Sequence, residues 1–75
     1  MEFSREDYVE AKRQIDSILH KLRETVLTLR EKERPERYKS QITLAERRIK
    51  ALELANCLIE KELTALPEPP GERQR

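Results

Sequence analysis

Apolar residues recur along most of this chain at alternating steps of three and four. One series runs Tyr8, Ala11, Ile15, Ile18, Leu22, Thr25, Leu29, with Leu19 and Val26 widening it on one flank. A later series runs Tyr38, Ile42, Ala45, Ile49, Leu52, Asn56, Ile59, Leu63, Leu66. This is the heptad spacing that sets one face of a helix against a partner helix. Between the two series the chain is almost wholly charged from Arg30 to Arg37, with Pro35 at its centre. Proline disfavours helical geometry at the residue before it and lacks a backbone donor, so the chain is expected to turn there.

The pattern predicts an all-α helical hairpin over residues 1–66. Helix 1 covers about residues 4–32, the turn about 33–36 and helix 2 about 36–66. A short connection makes the two helices antiparallel neighbours. Ser4 followed by Asp7 is a capping-box pattern, and Phe3 with Tyr8 stands where a hydrophobic staple forms. The last segment, residues 67–75, holds three prolines and the chain's one glycine, and is expected to be a disordered Pro-rich tail.

Helix 2 carries more apolar surface than one partner helix covers. Leu44, Ala51, Leu54, Ala55, Leu58 and Ala65 lie outside the seam yet adjoin it on a helical wheel. Glu46, Glu53 and Glu60 form a uniformly acidic row on the opposite edge. Soluble chains seldom leave a continuous apolar face in water. The six residues therefore predict a dimer interface, with two hairpins forming a four-helix bundle. Within the seam itself, Asn56 occupies a position where a buried amide sets register and partner number at a cost in stability. It lies level with Ile15, near Asp16.

Composition supports this picture. The chain has 75 residues, and 41% of them are charged. A core this small needs a disulfide, a metal or association to be stable. One cysteine and one histidine offer neither an internal disulfide nor a metal ligand set, so no cofactor or metal is expected. Association remains.

The net charge is only +1, which gives no overall pull toward nucleic acid or membrane. The charge is nevertheless uneven. Residues 30–50 hold eight basic and four acidic side chains, net +4, while residues 1–10 are net −3. Hairpins with their turns at opposite ends bring these regions together, so an antiparallel homodimer is expected. No segment has the length and hydropathy of a membrane span or a signal peptide, and a reduced, cytoplasmic setting fits that.

The candidate chemistry is thin. Cys57 falls outside the seam, deep in helix 2, among a balanced set of charges and away from a helix N-terminus, where a reactive thiol is not expected. His20 points away from the seam. Ser40-Gln41 is similar to the start of the Ser-Gln-Glu-Leu-Asp signature on the second helix of small bacterial aspartyl-phosphate phosphatases, but Ile42, Thr43 and Leu44 follow and the acidic residues are missing. No catalysis is expected. The sequence favours a dimeric protein-interaction or regulatory module that binds itself and another protein. The alternative is an RNA- or DNA-binding bundle dimer that meets phosphates through Arg34, Arg37, Lys39, Arg47, Arg48 and Lys50 around the turn. That architecture resembles the Rop family of plasmid RNA-binding hairpins, without a shared motif.

Overall fold

A computed structural model describes residues 2–66; the Pro-rich segment 67–75 lies outside the described residues. Two long helices, α1 (Arg5–Arg30) and α2 (Lys39–Ala65), pack side by side and are joined through a 3₁₀ turn at Pro35–Tyr38. There is no strand among the described residues.

The start of α1 follows from its sequence. The Asp7 backbone N–H donates to Ser4 Oγ at 3.2 Å, and the Ser4 N–H donates to Asp7 Oδ2 at 2.9 Å. Both halves of the capping box are thus formed. Phe3 and Tyr8 meet edge to face, with ring centroids 6.2 Å apart, and hold the incoming chain against the first turn. Glu6 and Asp7 place negative charge at the positive end of the helix dipole.

The end of α1 follows from Pro35. The helix stops at Arg30, and Glu31 caps it by donating back to the last carbonyls. Arg34 is non-helical, at φ −128° and ψ 76°, as the residue before a proline tends to be. Winding then resumes with Pro35 in the first turn, where its missing N–H costs nothing. At the far end Leu66 turns extended ahead of Pro67.

The seam is where the structure corrects the sequence. Along α2 the expected stripe is the inward one, from Tyr38 to Leu66, with Ala45 only 6% exposed. Along α1 the inward set is different. Leu19 and Val26, expected on the flank, are buried, whereas Ile18 is 46% exposed and Thr25 is also exposed. Tyr8, Ile15, Leu22 and Leu29 serve either choice, so α1 has rolled slightly about its axis. Rolling that way exchanges Thr25, whose hydroxyl bonds Lys21 O, for the wholly apolar Val26. It also brings cationic side chains of α1 over the glutamate row of α2.

Candidate interaction face

The hairpin has two unlike edges. One is a polar ladder between the helices. Arg30 pairs with Glu46, Arg23 Nη2 lies 2.6 Å from Glu53 Oε2, and Lys12 Nζ lies 3.3 Å from Glu60 Oε2. The three cations all come from α1 and the three carboxylates all come from α2. Near the open end Arg5 Nη1 donates to Leu63 O at 3.3 Å. These pairs are largely exposed, and exposed pairs contribute about 0.2–1 kcal/mol each. Their direction matters more, since together they favour one register of α1 on α2.

Asn56 joins this ladder at its inner side. Its Nδ2 donates to Asp16 Oδ1 at 2.7 Å, and Asp16 Oδ2 accepts from Lys12 Nζ at 3.1 Å. The bonds from Lys12 and then from Asn56 hold the Asp16 carboxyl below the usual carboxylate range. The Lys12 ammonium is raised in turn, first by Asp16 and then by Glu60. The Oδ1 of Asn56 is buried and accepts no hydrogen bond within the chain.

The other edge is bare. On a helix each residue advances by about 100°. On that count Ile18 of α1 lies far round from Asp16, Arg23 and Arg30. Leu44, Ala51, Ala55 and Leu58 of α2 lie on the corresponding side, away from the glutamates. Leu44 is 48% exposed, Leu58 57% and Leu54 61%. Ala51 and Ala65 are exposed too, and Ala55 is half-buried. The six predicted interface residues do not form one narrow strip, since Leu54 sits at the back of α2. At the open end Phe3, Tyr8, Ala11 and Ile59 line a shallow groove between the helices. Ile18 is the member of this edge that the sequence had placed in the core.

The basic residues proposed for phosphate contact are all exposed. Arg34 is turned to Glu36. By helical spacing Lys39, Arg47, Arg48 and Lys50 spread over more than one side of α2 instead of forming one stripe. Tyr38, the nearest aromatic ring, is half-buried. Cys57 is exposed, as is His20. No group of three or more His, Cys, Asp or Glu with metal-binding geometry occurs among the described residues. Nor is any of the described helices long and apolar enough to cross a membrane.

The glutamate ladder was not foreseen. Its signal lay in the sequence, because Lys12, Arg23 and Arg30 stand level with Glu60, Glu53 and Glu46 once the hairpin is closed. Compared with known proteins, the chain matches no family model, no curated protein and no solved structure.

Proposed function

We propose that this chain is a small non-catalytic interaction module that works as a homodimer, two hairpins forming a four-helix bundle, with its remaining surface serving recognition of another protein. The observation that supports this is the exposed leucine-rich side of α2, set against a polar ladder that already satisfies the other edge. Only Leu19, Val26 and Ala45 are buried among the described residues. Such a core is thin for a chain that folds without disulfide or metal. Burying one leucine contributes about 1.5–3 kcal/mol, so Leu44 and Leu58 from each of two chains offer an association energy comparable with the stability of a small domain.

Sedimentation equilibrium tests the reading. The expected result is the mass of two 9.0 kDa chains, dissociating on dilution. A single-chain mass at the highest accessible concentration would overturn the homodimer. Adding labelled RNA or DNA at low salt separates this from phosphate binding. A complex that weakens steeply with salt would favour the basic turn region as the working surface instead.

A further inference from the structure

The outer side of α2 carries a second heptad series of its own: Leu44, Arg48, Ala51, Ala55, Leu58, Glu62 and Ala65, spaced 4-3-4-3-4-3. It is distinct from the seam that faces α1. Six of its seven members are exposed and Ala55 is half-buried. Neither Arg48 nor Glu62 takes part in an ion pair among the described residues, although nearby charges on the ladder edge do.

The series is complementary to its own reversal. Laid antiparallel on a second copy and centred on Ala55, it sets Arg48 of one chain near Glu62 of the other. Leu58 then meets Ala51, Leu44 meets Ala65, and Ala55 meets Ala55. Each large side chain faces a small one, the arrangement that fills a close-packed interface without voids. Each of the two charges faces its opposite. Laid parallel, the same series sets arginine on arginine, glutamate on glutamate, leucine on leucine and alanine on alanine. That arrangement combines repulsion with alternating crowding and gaps.

Helix α1 agrees with this centre. The Asn56–Asp16 bond and the Arg23–Glu53 pair fix which part of α1 stands beside Ala55, and Ile18 falls within it. Ile18 is on the bare edge, and a two-fold axis at Ala55 brings the two copies of Ile18 together.

We infer that the occupant of the bare edge is a second copy of this chain, docked antiparallel about a two-fold axis at Ala55. Its direction is specified by two symmetry-related Arg48–Glu62 pairs. This rests on the homodimer reading above and adds to it the face, the axis and the residues that choose the direction.

Charge reversal tests it in the full chain. Arg48→Glu and Glu62→Arg each turn two attractive contacts into repulsive ones, and each is expected to weaken dimerisation by about tenfold or more. Mixing the two variants restores attraction at both contacts, and heterodimers of near wild-type affinity are expected. Unchanged dimerisation in both single variants, or no recovery on mixing, overturns the docking while leaving a homodimer standing. A monomeric wild-type chain overturns both.

Cysteine crosslinking in a Cys57→Ser background gives a second measure of direction. Ala55→Cys is expected to oxidise to a covalent dimer. Leu44→Cys is expected to resist, because its two copies would lie about 33 Å apart at about 1.5 Å per residue. Ready crosslinking through Leu44→Cys would show a parallel dimer and overturn the inference.

Discussion

The amide of Asn56 is the residue on which local cost and fold specification meet. Its Nδ2 holds Asp16, but its Oδ1 is buried without an acceptor's partner in the chain. A buried polar atom left unpaired costs about 1–3 kcal/mol, and leucine at such a position adds apolar burial of similar size. Asp16 keeps Lys12 and its own contact with water when the amide is removed. Asn56→Leu is therefore expected to raise the melting temperature, by about 4–8 °C for each kcal/mol gained. A lowered melting temperature would mean that the Asp16 bond outweighs the orphaned oxygen. The sequence made Asn56 conspicuous, because an amide stands in an otherwise apolar series. It also placed Asp16 close by. The burial of the Asn56 Oδ1 without a partner was not legible, since it depends on how α1 closes over the amide.

At the scale of the element, the two helices were not equally readable. Helix α2 also sets apolar residues side by side, but only the series from Tyr38 to Leu66 runs without a charged member, so its inward stripe follows from spacing. Helix α1 offers two at successive steps, Ile18 or Leu19 and then Thr25 or Val26. Periodicity within one helix does not decide between them. The partner decides, because the roll that buries Leu19 and Val26 also seats Arg23 and Arg30 on the glutamates of α2. Substitution separates the pair. Leu19→Ala removes a side chain that is 4% exposed and is expected to cost about 2–5 kcal/mol of stability. Ile18→Ala, measured where the chain is a single hairpin, is expected to stay within about 0.5 kcal/mol. Chemical denaturation of both variants checks this, and equal losses would place Ile18 back in the seam.

At the scale of the whole molecule, the hairpin is a single layer of two helices with one edge tied and one bare. Three buried residues among those described are a small core for a folded chain. Stability drawn from association depends on concentration, because binding between folded chains adds to the folding equilibrium by mass action. The melting temperature is thus expected to rise with protein concentration, followed by circular dichroism over about a hundredfold range. A constant value across that range would show that the hairpin stands on its own. The surplus of apolar surface on α2 was legible in the sequence. The division of the hairpin into a tied edge and a bare one was not, because it needs the level of each α1 residue against α2.

If the chain dimerises as proposed, the ladder has a consequence for how its copies find one another while they are still folding. In its three cross-helix pairs the acids all belong to α2 and the bases all belong to α1. Two α2 segments meeting through their inward stripes would set one glutamate row against another, and that encounter is repelled. An α2 that meets its own α1 finds three cations waiting at the matching levels. The contact is also local in sequence, across a turn of a few residues, and so closes quickly. Sorting by sign thus reserves the inward stripe for the chain's own first helix. On the docking proposed above, a newly made copy reaches its neighbours with that stripe already covered and the bare edge still to offer.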